Sequence, residues 1–424
     1  MTGAILAIGN ELVEGRILNR TSFWAARLLL FKGYEIKEIN TIPDEPSIIE
    51  FYVKDFLKRY DFIVVSGGLG PTTDDLTNAS VAKALGRKLI RSKEMEKRIR
   101  EREKAYGLPE NPLRLKMADL PEGAELLTDD HPMAGYFLKV DEKLIFCLPG
   151  VPEEFEFLFK EKVLPLLEKY LPAKEVFLFK LFKLFGLHEA EINLALEKFE
   201  TAWKDVTVGY YPSTPEIHIA LRIKSHDKIL AEKFLNKVST TIKELFGPYI
   251  FGEDEELLEG VVGKLLLSRK ETLALAESCT GGLVASRITR IPGASAYFER
   301  GVVSYSNEAK IEILGVPKEA VETHGAVSEP VAKAMAEGIK KLAKSTYGIG
   351  ITGIAGPTGG SLEKPVGTVW IGFSYPEGTV AQCFRFPGDR QTVQDYAATT
   401  ALDWLRRFLS YGTLIPSYQF TCKN

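Results

Sequence analysis

Apolar residues fall along this chain in two rhythms. Short unbroken runs read as strands buried on both faces, as in a parallel sheet: Ala4-Ile5-Leu6-Ala7-Ile8, Phe62-Ile63-Val64-Val65, Leu144-Ile145-Phe146-Cys147-Leu148 and Leu273-Ala274-Leu275-Ala276. Between the first two, 34–42 alternates like a strand. Ile49, Tyr52, Val53, Phe56, Leu57 and Tyr60 recur at helical spacing and form one apolar helix face. Asn19 can cap a helix running to Lys32, where Gly33 stops it. This βαβαβ order predicts an α/β fold with a parallel sheet and right-handed crossovers. Residues 93–104 are highly charged and are expected as a solvated helix face.

Beyond residue 170 the pattern changes. Strands are expected at 176–185 and 217–223, with helices at 189–199 and 228–246, a small α+β unit. Then Leu257, Val261 and Leu265 mark a helix, 283–290 another, and Val302-Val303 a strand. Ile349-Gly350-Ile351-Thr352-Gly353 gives a strand before a glycine-rich loop, 366–373 and 380–386 read as paired strands, and Gly388-Asp389-Arg390 precedes a last helix.

Length and charge narrow the classes. At 424 residues the chain exceeds one ordinary core, and the changes of pattern divide it at 1–169, 170–251 and 252–412. The tail 413–424 carries no pattern and is expected to be mobile. A hydrophobic share of 45% and a charged share of 26% fit a soluble globular protein. A net charge of −3 leaves no basic excess for a general nucleic-acid binder. Cys147, Cys279, Cys383 and Cys422 show no paired or metal-type spacing, which suggests a reducing compartment. No basic leader precedes Ala4, and no apolar run is long enough to span a bilayer. The expectation is a cytoplasmic protein without membrane contact.

Candidate chemistry gathers at strand ends. Ala276-Glu277-Ser278-Cys279-Thr280-Gly281-Gly282 lies where a strand turns into a helix, so its side chains would point into a crevice and the helix N–H groups would favour an oxyanion. Ser278 or Cys279 could attack a carbonyl there. The plainer reading is that Ser278 and Thr280 only cap the helix. Lys310, in the first turn of a helix begun by Asn307, opposes the helix dipole, a position that suits a catalytic amine or a solvated lysine. Near the amino terminus, Ser66-Gly67-Gly68-Leu69-Gly70-Pro71-Thr72-Thr73-Asp74-Asp75 follows a buried strand. Backbone at Gly67, Gly68 and Gly70 with the Thr72 and Thr73 hydroxyls could face a phosphate. Asp74 and Asp75 would repel it unless a divalent cation lay between. Glu11 opens onto the same crevice as a further metal candidate. The loop 149–155 either closes over the crevice or starts a helix ending near Lys169.

These motifs resemble the CinA family. Ile8-Gly9-Asn10-Glu11, the 66–75 stretch and Leu148-Pro149-Gly150-Val151-Pro152-Glu153 look like its amino-terminal, molybdopterin-binding-like domain. The resemblance implies metal-dependent hydrolysis of ADP-ribose to AMP and ribose 5-phosphate. The cation would be magnesium, manganese or cobalt, with a monovalent ion such as potassium as a further candidate, and Asn10 would join the substrate contacts. Asp129-Asp130-His131-Pro132-Met133-Ala134-Gly135-Tyr136-Phe137 departs from the family's Asn-Pro start and Gly-Thr-Ala-Pro-Gly turn. That departure keeps open a non-catalytic nucleotide- or pterin-binding module, with His131 as a substitute ligand or merely an exposed loop residue. The middle segment resembles the family's KH-like connector, but Gly186-Leu187-His188-Glu189 lacks the second glycine of a nucleic-acid clamp, so no direct nucleic-acid contact is expected.

The 276–282 stretch, 301–310, His324-Gly325-Ala326-Val327-Ser328-Glu329-Pro330 and the 352–360 loop resemble the family's carboxy-terminal domain. That resemblance implies deamidation of nicotinamide mononucleotide to nicotinate mononucleotide and ammonia, without a cofactor. Ser278 would be the nucleophile, with Cys279 as its competitor, and Lys310 with Tyr305 the base. Backbone N–H groups near Thr280-Gly281 would hold the oxyanion. Glu277, Gly282, Asn307, Thr352, Gly353 and Arg390 would contact substrate. A homodimer is the family expectation.

Overall fold

The unbroken apolar runs become the inner strands of two sheets in the computed structural model, which describes residues 1–128 and 135–422. The chain divides into two compact units, Met1–Leu178 with Lys224–Ala231, and Phe179–Ile223 with Glu232–Asn424.

In the first unit the strands are β1 (Thr2–Ile8), β2 (Glu35–Ile42), β3 (Phe62–Ser66), β4 (Leu89–Arg91), β5 (Asp119–Pro121), β6 (Glu125–Leu126), β7 (Tyr136–Val140) and β8 (Lys143–Leu148). The main sheet runs β2-β1-β3-β8-β7-β6; its first four strands are parallel, and β7 and β6 are antiparallel. Successive side chains point to opposite faces, and both faces are covered. Ile5, Val64 and Phe146 meet Leu29, Phe155 and Phe159 on one side, while Leu6, Val65 and Ile145 meet Val53 and Phe56 on the other. This double coverage is why the runs are apolar without alternation. Asn19 caps helix Arg20–Phe31 through its side chain. The 149–155 loop leads into helix Pro152–Leu158, which continues through a widened turn at Phe159–Val163 into Leu164–Tyr170.

Helix Lys93–Ala105 is not the wholly solvated element expected. Met95, Arg98, Ile99 and Glu103 are buried. Arg98 donates to the Thr128 carbonyl, and Glu103 accepts from Asn111 N–H at 3.2 Å and Arg114 at 2.9 Å. The charges are internal because each finds a partner. Of the divergent turn, 129–134, with His131, lies outside the described residues; Tyr136 and Phe137 open β7.

The second unit holds most of β9 (Val176–Leu184) and β11 (Glu216–Ser225), and all of β10 (Thr207–Ser213) and β12 (Ile250–Glu253), in the order β10-β11-β9-β12. Strands β10 and β12 were not foreseen. Both are edge strands, where Gly209 and Pro212 are tolerated and the apolar signal is weak. A second sheet follows: β13 (Leu273–Glu277), β14 (Phe298–Val303), β15 (Tyr347–Gly353), β16 (Thr368–Tyr375) and β17 (Gly378–Arg385), ordered β14-β13-β15-β16-β17. β14, β13 and β15 are parallel, and β16 and β17 turn back antiparallel. Leu273 and Leu275 pack with helices Leu258–Arg269 and Arg390–Tyr411; Ala274 and Ala276 face Val331, Met335 and Ile339 of helix Glu329–Ala343. The central β13 therefore delivers residue 278 at its carboxyl end, between two parallel neighbours.

The tail is docked, against expectation, as far as Cys422. Trp404 Nε1 donates to the Leu414 carbonyl at 2.8 Å and Tyr418 OH to Asp403 at 3.0 Å. Phe420 accepts from Arg385 N–H at 2.8 Å, and Thr421 bridges to Phe384. Asp403, fully buried, also accepts from Arg406 and Arg407 at 2.7 Å each. Among the described residues no helix is long and apolar enough to cross a membrane.

Candidate functional site

Ser278 is fixed from both sides of β13. Its N–H donates to Ile351 O at 2.9 Å, and Ser304 N–H donates to Glu277 O at 2.9 Å. Glu277 itself turns inward. Its carboxylate, 1% exposed, accepts from the N–H groups of Gly282, Val284 and Ala285 at 3.0, 3.1 and 2.8 Å. It therefore caps helix Leu283–Thr289 from within, where a substrate contact was expected. Gly281 N–H is also taken, by Ser278 O at 3.1 Å. The N–H groups of Cys279 and Thr280 meet no backbone acceptor among the described residues, so of the expected Thr280-Gly281 donors only that of Thr280 stays open.

Lys310 reaches Ser278 from helix Asn307–Leu314, whose N-cap is Ser306. Its Nζ lies 3.0 Å from Ser278 Oγ, and 2.9, 3.2 and 3.4 Å from the carbonyls of Ser304, Tyr305 and Ser306. The side chain is buried, and that loss of solvent lowers its pKa below an ordinary lysine's. Cys279 is buried beside it, and burial pushes its thiol up to about 12. A Cβ at residue 353 would come within 3.0 Å of Cys279 Sγ and 2.9 Å of Thr368 O, so only glycine lets β15 approach the turn this closely. Cys279 is thus packed against β15, and Ser278 is the residue with an amine at 3.0 Å.

Tyr305 differs from its expected role. Its ring is exposed and its hydroxyl accepts from Arg390 at 2.8 Å; only its carbonyl touches Lys310. Arg390 also donates to Gly356 O at 2.9 Å. Thr352 is buried and donates to Ala326 O at 2.9 Å.

Ser278, Lys310, Tyr305, Asn307, Thr352 and Gly353 line one chamber of about 200 Å³. Thr280, Gly281, Gly282 and Gln394 line a larger cleft of about 850 Å³. Ala355 and Arg390 belong to both walls. Thr280 Oγ1 is buried there without a partner, a polar group left for a ligand. Gln394, which the motifs did not single out, donates to Cys279 O at 2.7 Å and holds the turn. Its place one helical turn after Arg390 was the available signal.

In the first unit a cavity of about 470 Å³ is lined by Glu11, Asp44, Gly67, Gly68, Gly70, Asp74 and Asp75, with 149–152 and Glu154 from the loop after β8. A Cβ on residue 67 would lie 2.2 Å from Ile8 O at a φ of +102°, so glycine is required where β3 meets β1. The N–H groups of Gly68, Leu69 and Gly70 have no backbone acceptor among the described residues. Three expected contacts do not line this cavity. Asn10 exchanges hydrogen bonds with Asp44, giving its N–H at 2.8 Å. Thr72 donates to Asp74 and, at 2.5 Å, to Asp75, which holds Asp74's carboxyl below its usual range, and Thr73 is exposed. Asp44, at the carboxyl end of β2, was missed; burial, then Glu11, Asp74 and Asp75, push its carboxyl up. Among the described residues no three ligating side chains are grouped as a complete metal cage.

Residues 4–169 match the family model described as "Probable molybdopterin binding domain", 180–252 the "Damage-inducible protein CinA KH domain" and 255–409 the "CinA C-terminal domain". A CinA-like protein of Desulfotalea psychrophila is 42% identical over 407 residues, 96% of this chain and 98% of its own length. A CinA-like protein of Syntrophus aciditrophicus is 42% identical over 412 residues, with the same coverage of 96% and 98%. A crystal structure of a competence-damaged protein (CinA) superfamily protein from Klebsiella pneumoniae is 37% identical, covers 36% of this chain and 96% of its own, and has a TM-score of 0.36.

Proposed function

The chain belongs to the CinA family, and we propose that its last domain is an amidohydrolase acting on the carboxamide of nicotinamide mononucleotide. The observation that carries this reading is the buried Lys310 amine at 3.0 Å from Ser278 Oγ. A desolvated amine near a serine can take the hydroxyl proton as the oxygen attacks the amide carbon. The Cys279 and Thr280 N–H groups receive the oxyanion. Collapse returns the Lys310 proton to the leaving nitrogen, which departs as ammonia. Water, deprotonated by the same amine, then hydrolyses the acyl-serine to nicotinate mononucleotide and frees Ser278. The small chamber suits the pyridine carboxamide, and the larger cleft, entered past Arg390 and Thr280, suits ribose and phosphate. Incubation with nicotinamide mononucleotide should release ammonia, Ser278→Ala should abolish release, and Cys279→Ala should keep it. Release that survives Ser278→Ala overturns the assignment.

The first unit supports a second activity, cleavage of the pyrophosphate of ADP-ribose. The free N–H groups of Gly68, Leu69 and Gly70 form an anion cradle beside Asp44, Glu11, Asp74 and Asp75. These carboxylates line one cavity without forming a complete cage; one or two of them would hold a hard divalent cation such as magnesium. Such an ion would neutralise pyrophosphate charge. The chain's own part is to orient the phosphates on backbone N–H, beside the 149–152 loop, so that water can attack phosphorus. Binding of ADP-ribose without turnover, with divalent metal present, would favour a non-catalytic nucleotide- or pterin-binding module.

A further inference from the structure

Cys383 on β17 and Cys422 in the docked tail face each other. The antiparallel bridge between Phe384 and Thr421 sets Cys383 opposite Cys422, and Cys422 N–H donates to Cys383 O at 3.0 Å. Two further contacts from β17 to the tail hold the register. Arg385 N–H donates to Phe420 O at 2.8 Å, and Gln382 Nε2 to Thr421 Oγ1 at 3.2 Å. Both thiols are free and partly exposed, unlike the buried Cys147 and Cys279. Directly opposed residues of antiparallel strands point to one face with Cα atoms about 4.5–5.5 Å apart, inside the roughly 4.4–6.8 Å that a disulfide spans. The scattered spacing in sequence concealed this pairing.

We infer that Cys383 and Cys422 form a dithiol that closes to a disulfide and clamps the tail onto the last sheet, using a low-molecular-weight disulfide as oxidant. The Cys422 thiolate attacks one sulfur of oxidised glutathione and expels one glutathione thiolate. Cys383 then attacks the Cys422 sulfur and expels the second. Two protein thiols are oxidised to one S–S bond, one small disulfide is reduced to two thiols, and the two protein protons pass to them. Cys422 goes first because burial, and then Cys422 beside it, push the Cys383 thiol up to about 12; capping Cys422 removes the second cause. The clamp closes about forty residues of chain, a loop long enough to restrict the unfolded state. Its position also matters for access. Phe420 and Gln419 wall a groove with Arg385, Phe386 and Tyr396, and that groove shares Val366 and Gly388 with the cleft at Arg390.

The test uses the reduced full chain in mixtures of oxidised and reduced glutathione. The expected result is a fall from four titratable thiols to two, a non-reduced digest in which the Cys383 peptide is joined to the Cys422 peptide, and a higher melting temperature than the reduced chain. Cys422→Ser should show no such joined peptide, and Cys383→Ser should stop with glutathione attached to Cys422. Persistent glutathione on Cys422 of the unmodified chain, a Cys422 link between two chains, or a pair still reduced in oxidised glutathione alone would each overturn the inference.

Discussion

Lys310 Nζ and Ser278 Oγ meet at 3.0 Å although they arrive from different elements, the serine from the end of β13 and the lysine from the helix after β14. A neutral amine has two N–H bonds for the carbonyls of Ser304 and Tyr305 and a lone pair for the serine proton; an ammonium has three donors and nothing to accept with. The lowered pKa brings in the first arrangement at a lower pH than for an ordinary lysine.

The pH dependence follows in sign. Below its folded-state pKa Lys310 is charged and cannot take a proton, so ammonia release rises with pH and levels off at a pH below the ordinary lysine value of 10.5. Lys310→Arg keeps a cation but no base at any accessible pH, and should lower kcat by about a hundredfold or more. Because the unfolded chain binds this proton more tightly, stability should fall as pH drops from 10.5 towards the lowered value. Steady-state rates and urea melts across pH measure both.

Tyr305 and Arg390 separate proton transfer from binding. The tyrosine hydroxyl touches Arg390, not the amine, so Tyr305→Phe should leave kcat within about threefold, against the roughly hundredfold or greater loss expected of a proton-transfer group. Arg390→Ala should raise KM by about tenfold or more through a lost charge-assisted contact. A large kcat loss in Tyr305→Phe would return the hydroxyl to the proton relay.

Glu277→Gln tests the inward cap. The amide keeps one acceptor oxygen but presents an NH₂ to N–H groups, costing about 1–3 kcal/mol. A lower denaturation midpoint with an unchanged KM is expected. A KM effect without a stability loss would make Glu277 a substrate contact after all.

In the first unit, chelator and Asp44→Asn should each abolish ADP-ribose cleavage while leaving ammonia release unchanged, since the two cavities use separate residues. Cleavage that persists in chelator would remove the cation from the reading. Parallel assays on one preparation decide it.

Asp403→Asn should be among the most damaging changes away from either cavity. It would leave Arg406 and Arg407, both buried, with an unpaired charge, at a cost of about 3–5 kcal/mol. Calorimetry of the variant against the parent chain measures this, and a loss under about 1 kcal/mol would show that the arginines find other partners.

Much of this was legible in the sequence because strand ends carry it. The runs at 4–8, 62–65, 144–148 and 273–276 marked inner strands because both sheet faces are buried, and Ser278 and Lys310 stood out at element ends, though sequence could not show that they meet. What was not legible depends on tertiary contacts without period. The edge strands β10 and β12 have little apolar signal. The tail is held by single residues, Tyr418 and Phe420, that show no spacing. Glu277 and Asn10 carried substrate-like chemistry, but their hydrogen bonds go to the protein itself. Asp44 stood alone in sequence, and only the parallel pairing of β2 with β1 brings it to Glu11 and Asp75.

The inward turn of Glu277 places a negative charge at the start of a helix beside the cleft. A helix start ordinarily draws anions, but here the beginning of Leu283–Thr289 is already occupied by the protein's own carboxylate. A phosphate arriving there would meet like charge, whereas the guanidinium of Arg390 offers the opposite sign at the far wall. On the proposed reading, this contrast of charge would turn a nucleotide's phosphate towards Arg390.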